Sequence, residues 1–238
     1  MKPVKLSFAV AIVLAALPLA SFAQEAEAEA ESPFSFTLAA TSDYTFRGAS
    51  QTDEGPALQG SFTYTAPVGF YAGVWASNVD FGDGGPDAEI DTYIGYNTDL
   101  GDEFVNLDVM LNRYNYVGGD NASDLAYNEL ITKLTVGGHV NFTVGYTNDV
   151  WASGENGWYY AVGGSADLPW DLSLSGAVGR SVFDGGVARD YTDYSVTLSK
   201  AFGDVSVAVG YVGTDSDGAI NFGELGDDRA VLTVTWAP

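Results

Sequence analysis

The chain has no cysteine and only one histidine among its 238 residues. The lack of cysteine excludes a disulfide framework and thiol chemistry. The one imidazole, His139, follows two glycines in a predicted short turn, on the side opposite the long connections, so it has no nucleophile to activate. No Cys/His ligand set, phosphate loop or hydride-cofactor fingerprint is present. We therefore expect no enzyme activity and no cofactor.

Only one long apolar run is present, and it lies at the N-terminus. Two lysines precede apolar residues 6–20, and the small residues Ser21 and Ala23 stand at the −3 and −1 positions of a signal-peptidase site. The run is shorter than the ~20 apolar residues that a membrane-spanning helix needs. We therefore predict a signal peptide over residues 1–23 that is cleaved during export.

Positive charge is scarce in the rest of the chain. Cleavage would remove two of the nine Lys and Arg residues and leave seven against 32 Asp and Glu residues, a net charge of −25. Such a surface repels phosphate backbones, which excludes nucleic acid as a partner. Residues 24–33, QEAEAEAESP, are predicted to form an acidic disordered tail. No linker divides residues 34–238, so we expect a single domain there.

After residue 33, helical periodicity is scarce, and apolar and polar residues alternate with the period of a β-strand. This alternation predicts twelve strands of about nine to eleven residues, the length with which a tilted strand crosses a bilayer. The predicted strands are residues 35–46, 57–66, 70–79, 88–97, 104–111, 127–136, 139–146, 157–167, 171–181, 194–201, 204–211 and 230–236.

The connections between these strands alternate between long and short. Residues 47–56 and 212–228 are long connections, for example, whereas residues 67–69 and 137–138 are short turns. Outer-membrane barrels have short periplasmic turns and long extracellular loops, and a soluble sandwich has no reason to gather its long loops at one end. We therefore predict an all-β fold, an antiparallel transmembrane β-barrel of about 12 strands over residues 34–238.

Aromatic residues fall at both ends of the predicted strands, where amphipathic rings would form two girdles at the headgroup level. The girdle at the long-loop end would contain Tyr44, Phe46, Tyr114, Tyr146, Trp158, Tyr160, Tyr194 and Tyr211. The girdle at the short-turn end would contain Phe62, Tyr64, Phe70, Tyr96, Trp170, Phe202 and Trp236. The alternative is that the rings fill the core of a soluble β-sandwich.

Four segments carry a resemblance to a known family: YTFRGASQTDEGPALQG (44–60), FGDGG (81–85), LGDEFVNLDV (100–109) and DDRAVLTVTW (227–236). Together they resemble the TorF-type porin family, also known as Gcw_chp, a bacterial family of unknown function. The resemblance implies an outer-membrane barrel with a channel role. It also implies the outer membrane of a Gram-negative bacterium as location, with membrane lipid and the barrel assembly machinery as partners.

The first predicted strand places Arg47 in the barrel interior. If Phe36, Leu38 and Phe46 face lipid, then Asp43 and Arg47 face the lumen. Barrel closure pairs the first and last strands, so we expect Arg229 to approach Arg47 near the extracellular mouth. Acidic residues expected near them are Asp43, Asp53, Glu54, Asp227 and Asp228. The arrangement is either a salt-bridged group that orders the first loop or a group that selects solutes.

A second group of charges is predicted to line the lumen. Asp91, Asp108, Glu129 and Lys133 lie on the inward faces of the fourth to sixth strands. Acidic and basic side chains on different walls are typical of a channel constriction, although they could equally form a cross-strand ion ladder. The predicted lumen and mouth charges are Asp43, Arg47, Asp91, Asp108, Glu129, Lys133, Asp193 and Arg229.

Residues 213–224, GTDSDGAINFGE, match much of an EF-hand calcium loop, including Asp215, Asp217 and the terminal Glu224. The first ligand position is Gly213, and predicted strands flank the segment. The sequence of this segment is therefore more typical of a surface loop in an acidic protein.

Three functions remain open from the sequence. The first is a passive channel for small hydrophilic solutes, with a preference for cations because acidic side chains predominate. The second is a closed barrel with a structural or surface-recognition role. The third is a secreted, soluble β-sandwich that binds carbohydrate through exposed Trp151, Trp158 and Tyr159.

Overall fold

The structure consists mainly of β-strands in which apolar and polar residues alternate. Because successive side chains point to opposite faces, each strand has one outward and one inward face. The computed structural model describes residues 32–101, 104–120 and 122–238. The predicted signal peptide, residues 1–23, and residues 24–31 of the predicted acidic tail lie outside the described residues. Among the residues described, no helix is long and apolar enough to cross a membrane.

The described strands are β1 (Phe34–Thr41), β2 (Thr45–Phe46), β3 (Ala49–Ser50), β4 (Ala57–Thr65), β5 (Phe70–Asn78), β6 (Ala88–Leu100), β7 (Val105–Val117), β8 (Tyr127–Val136), β9 (Val140–Thr147), β10 (Gly157–Leu168), β11 (Leu172–Phe183), β12 (Tyr191–Phe202), β13 (Val205–Thr214) and β14 (Arg229–Trp236). The α-helix α1 spans Ser216–Phe222, and short 3₁₀ helices span Ala122–Leu125, Val150–Ala152 and Gly223–Gly226.

Twelve of these strands form one closed antiparallel barrel, which confirms the predicted fold class. Each barrel strand pairs with its neighbours in sequence, and β1 closes the barrel by pairing with β14 on one side and β4 on the other. The closing register places Leu38 opposite Trp236 and Thr41 opposite Thr233. Closure removes the free edges that a sandwich would keep, so the soluble-sandwich alternative is wrong.

The outward faces form a continuous apolar belt. Side chains on well-separated strands are exposed there, such as Leu58 at 74%, Ile94 at 60% and Val196 at 55%. An apolar surface that encircles the molecule is the one that lipid covers in a transmembrane barrel. The residues predicted for the short-turn girdle are all exposed at the corresponding end.

The prediction of the girdle at the long-loop end is partly wrong. Trp158, Tyr160 and Tyr211 are exposed as expected, whereas Tyr44 and Tyr114 are buried inside the barrel. Tyr114 lies on β7, which continues to Val117, well beyond the predicted end at residue 111, and alternation places the ring inward. Tyr44 is inside because β1 ends at Thr41 and the chain then leaves the barrel wall.

Candidate functional site

The first loop, residues 42–56, folds into the barrel lumen, where the sequence predicts the end of a strand followed by an external loop. Its centre is a small hairpin in which β2 pairs with β3, with Thr45 opposite Ser50. The two turn residues, Arg47 and Gly48, have φ values of 49° and 84°. Two positive φ values in a two-residue turn are typical of a type I′ hairpin, which supplies the twist that antiparallel strands need.

Gly48 is required at the tip of this hairpin because the chain passes very close to the barrel wall. A Cβ atom at this position would lie 2.5 Å from the Gly213 carbonyl oxygen and 2.7 Å from the Thr214 methyl group. The hairpin therefore reaches the end of β13, and a glycine at this position in the sequence is the signal of a tight turn.

Arg47 crosses the lumen to the opposite wall. Its Nη2 atom lies 2.6 Å from Oε1 of Glu129 on β8, and Tyr114 donates a hydrogen bond to the other carboxylate oxygen at 2.9 Å. The guanidinium carbon lies 4.1 Å from the centroid of the Tyr159 ring and 4.7 Å from that of Phe46, within cation–π range. Arg47 is thus interior, and it forms its ion pair with Glu129 instead of joining the carboxylates expected near Arg229.

Arg229 instead holds the base of the first loop at the closing seam. Its Nη1 atom lies 3.0 Å from Oδ2 of Asp43 and 3.4 Å from Oε1 of Glu54. The other Asp43 oxygen accepts hydrogen bonds from the hydroxyls of Ser50 at 2.7 Å and Thr52 at 2.9 Å. The carboxylate therefore connects β14 to both arms of the loop, and the loop is fixed at its base and at its tip.

Apolar packing fills the space between the loop and one side of the barrel. Tyr44 makes an edge contact with Trp75, with ring centroids 5.2 Å apart. The two rings belong to a buried cluster that also contains Ala57, Val79, Tyr93, Met110 and Ile131. These residues come from β4 to β8 and their connections, so most of the large inward side chains lie on that half of the lumen.

The opposite half of the lumen is lined by small side chains. The inward positions of β11 are Ser173, Ser175, Ala177, Gly179 and Ser181. Those of β12 and β13 include Thr197, Ser199, Ala208 and Gly210. The apolar side chains of the first loop pack on the β4–β8 half, and its tip at Gly48 meets the end of β13, so small polar groups line the rest of the β11–β13 half.

Three carboxylates are deeply buried on the β6–β8 wall. Glu89 is 2% exposed, and Asp91 and Glu129 are 1% exposed each. Asn112 donates to Oδ2 of Asp91 at 2.9 Å, while Oδ1 of Asp91 has no hydrogen-bond partner. Among the ion pairs of the described residues, only Glu129 has a basic partner. Burying carboxylates without basic partners costs free energy, and a cation beside them would lower that cost.

Of the other predicted charges, Asp108 and Lys133 lie deeper in the barrel, toward the short turns, whereas Asp193 lies near the long-loop end. Asp108 accepts hydrogen bonds from the Tyr71 hydroxyl at 2.7 Å and from Asn97 at 3.1 Å. Lys133 is its register partner on β8. Asp193 lies across the lumen on β12, where the Tyr159 hydroxyl donates to its Oδ1 at 3.2 Å.

Glu89 and Tyr159 were missed as site residues by the sequence analysis. Glu89 lies two positions before Asp91 on the same inward face of β6. Alternation within the predicted strand would have placed it in the lumen. Tyr159 lies under Arg47, and Trp158 beside it points outward, so these rings do not form the carbohydrate surface considered above.

The segment that resembles a calcium loop, residues 213–224, contains the N-terminus of helix α1. Asp215 is the N-cap of α1 and accepts from the backbone N–H groups of Asp217 and Gly218, each at 3.1 Å. Asp217 pairs with Arg189 at 3.0 Å. Within the part of the chain that the structure describes, no group of three or more His, Asp or Glu side chains has the arrangement of a metal site.

Comparison with known proteins agrees with this architecture. The model of a family described as "Bacterial protein of unknown function (Gcw_chp)" matches residues 25–237, which confirms the Gcw_chp resemblance but not the TorF-type label. No similar protein was found among curated protein sequences.

Two solved porin structures are similar in fold. A KdgM porin has 8% sequence identity and a TM-score of 0.53, covering 85% of this chain and 98% of that porin. A NanC porin has 10% identity and a TM-score of 0.57, covering 84% of this chain and 97% of that porin. At these identities the similarity shows a porin-like β-barrel fold and no more than the fold.

Proposed function

We propose that this chain, which belongs to the Gcw_chp family of bacterial proteins of unknown function, is an outer-membrane channel for the passive diffusion of small hydrophilic solutes. Its location would be the outer membrane of a Gram-negative bacterium, reached through a cleaved signal peptide. Membrane lipid and the barrel assembly machinery are the partners that such a barrel needs. The porin-like fold and the outward apolar belt support this proposal.

The observation that carries the proposal is the asymmetry of the lumen. The first loop and the large side chains of β4 to β8 occupy one half, whereas serine, threonine, alanine and glycine predominate on the other half, with Tyr159, Tyr191 and Asp193 as its larger inward residues near the long-loop end. The path for a solute would run along the small, polar wall, and Arg47 would form its narrowest part together with Tyr159 and Glu129.

A preference for cations would follow from the lumen charges. The interior carboxylates of Glu89, Asp91, Asp108 and Asp193 have no ion-pair partner among the described residues. Acidic rings enrich cations. One KdgM porin structure is described as a complex with disordered oligogalacturonate, an acidic oligosaccharide. A solute of that charge suits the acidic lumen of this chain poorly.

The second candidate is a closed barrel with a structural or surface-recognition role. The inward first loop favours it, because a loop fixed at both its base and its tip could fill the lumen completely. Neither the channel nor the closed barrel uses catalytic residues, and we propose no enzyme activity.

Recording of ion conductance through the refolded barrel in a planar bilayer separates these candidates. Folding is verified first by comparing the gel mobility of unboiled and boiled protein in detergent, since a closed barrel resists unfolding. Discrete conductance steps from folded protein would support the channel, with boiled protein as the control. The absence of conductance from verified barrels would overturn it in favour of the closed barrel.

A further inference from the structure

A cavity of about 330 Å³ lies at the long-loop end of the barrel, directly above the first-loop hairpin. Its lining comes from the hairpin, the ends of β6, β7, β8 and β12, and the loops that carry the helices near residues 125, 151 and 222. This volume is at the lower end of the range for sites that hold small organic molecules. The cavity is separate from the small-residue wall of the lumen.

The walls of the cavity are mostly aromatic. On one side Tyr114 stacks on Tyr127 with centroids 4.6 Å apart and contacts Phe46 at 5.8 Å. On the other side Phe222 contacts Trp151 at 6.1 Å and Tyr191 at 5.2 Å. Among the described residues, no ring of the first set pairs with a ring of the second set. The two sets therefore face each other across open space.

One carboxylate, that of Glu89, belongs to the lining. Tyr44 donates a hydrogen bond to it at 3.3 Å, and no basic side chain pairs with it among the described residues. Its neighbour Asp91 is equally buried and has an unpartnered Oδ1 atom. The nearby guanidinium of Arg47 forms its ion pair with Glu129 and not with Glu89. The cavity thus combines aromatic faces with an uncompensated buried acid.

We infer that this cavity binds a small organic cation, an ammonium group carried on a compact apolar or aromatic body. The negative faces of the rings attract the cationic group, and the attraction is larger in a desolvated site. Glu89 supplies the counter-charge, and the ammonium group would remove the cost of burying that carboxylate alone. The same carboxylate would repel an organic anion of equal size. Binding of this kind does not require the barrel to conduct.

The test is calorimetric titration of the refolded barrel in a non-ionic detergent with benzyltrimethylammonium, and separately with benzenesulfonate as an anion of similar size. We expect saturable binding of the cation and none of the sulfonate. Glu89→Gln keeps the shape of the side chain and should raise the Kd for the cation about tenfold. Asp83→Asn removes a charge from an exposed loop position outside the cavity and should leave the Kd unchanged.

A second variant keeps the inference testable if Glu89→Gln fails to fold. Phe222→Leu, in α1, retains apolar bulk and removes one ring, so the Kd for the cation should rise several-fold. Gel mobility of unboiled samples verifies the folding of each variant. The inference is overturned if the cation does not bind, if the sulfonate binds as tightly, or if folded Glu89→Gln and Phe222→Leu both bind as the unaltered chain does.

Discussion

The Arg47 guanidinium and the Glu129 carboxylate form an ion pair across the lumen, with Nη2 2.6 Å from Oε1. The two residues are 82 positions apart in sequence. Around the barrel, four strands lie between β1 and β8 on one side and six on the other. The pair therefore connects the first loop, which joins β1 to β4, to the distant strand β8. This contact holds the loop inside the barrel.

Replacing Arg47 by Met should destabilise the barrel and release the first loop. The Glu129 carboxylate would remain buried without its partner, and breaking a buried ion pair in this way costs about 3–5 kcal/mol. Unfolding of the refolded protein in urea, followed by tryptophan fluorescence, measures the loss. Conductance should rise if the loop narrows the channel.

Two further variants control this prediction. Arg113→Met removes an exposed arginine and should change the free energy of unfolding by less than about 1 kcal/mol. The double variant Arg47→Met with Glu129→Met should recover most of the lost stability, since no unpaired charge is left. Equal stability of the Arg47 and Arg113 variants would contradict the role assigned to the ion pair.

Gly48→Ala should destabilise the inward hairpin more than Gly82→Ala destabilises its own loop. Both glycines have similar positive φ values, 84° and 87°, so both alanines incur a comparable backbone penalty of about 1–2 kcal/mol. Only the Gly48 Cβ would collide with the chain, whereas nothing lies within 4 Å at Gly82. Urea unfolding compares the two variants. A difference of zero would mean that the hairpin does not pack against β13 as described.

The barrel could be predicted from the sequence because period-two alternation is a local property. A strand that separates lipid from a polar lumen must alternate apolar and polar residues along its whole length. Each strand therefore carries the pattern in its own sequence. The structure lengthens several strands beyond the predicted limits. β7 is one of them, because Asn112, Tyr114 and Tyr116 continue the alternation with polar and aromatic residues instead of aliphatic ones.

The inward first loop could not be predicted in the same way. Tyr44 and Phe46 alternate with polar residues as the lipid-facing residues of β1 do, and the pattern cannot distinguish a ring that faces lipid from one buried in the lumen. What decides the path is contact with residues far along the chain, namely Glu129 and Trp75. The positive-φ turn at Arg47-Gly48 was a local signal, but it does not specify the direction of the hairpin.

Leu198→Arg should impair insertion of the barrel, whereas Thr197→Arg should be much milder. The two residues are adjacent near the middle of β12, with Leu198 exposed on the outward face and Thr197 facing the small-residue wall opposite Gly210. An arginine that faces lipid near the bilayer midplane costs about 2–4 kcal/mol. Folding yield into lipid vesicles measures the effect. Similar yields for the two variants would show that the inward and outward faces of this strand are assigned wrongly.

The channel should prefer cations at low salt and lose part of that preference at high salt. Asp91, Asp108 and Asp193 are interior, and exposed carboxylates such as Asp83 and Asp120 surround the long-loop end. Interactions between charges are largely screened beyond about 10 Å at 0.1 M salt and beyond about 3 Å at 1 M. Replacing Asp91 and Asp108 by Asn should lower the potassium-to-chloride permeability ratio by about two- to tenfold, which corresponds to about 0.4–1.4 kcal/mol. The zero-current potential across a potassium chloride gradient measures this ratio.

Asp204→Asn, in a short turn at the other end, should have a smaller effect. A potential whose sign indicates chloride preference at low salt would refute the electrostatic assignment of the lumen.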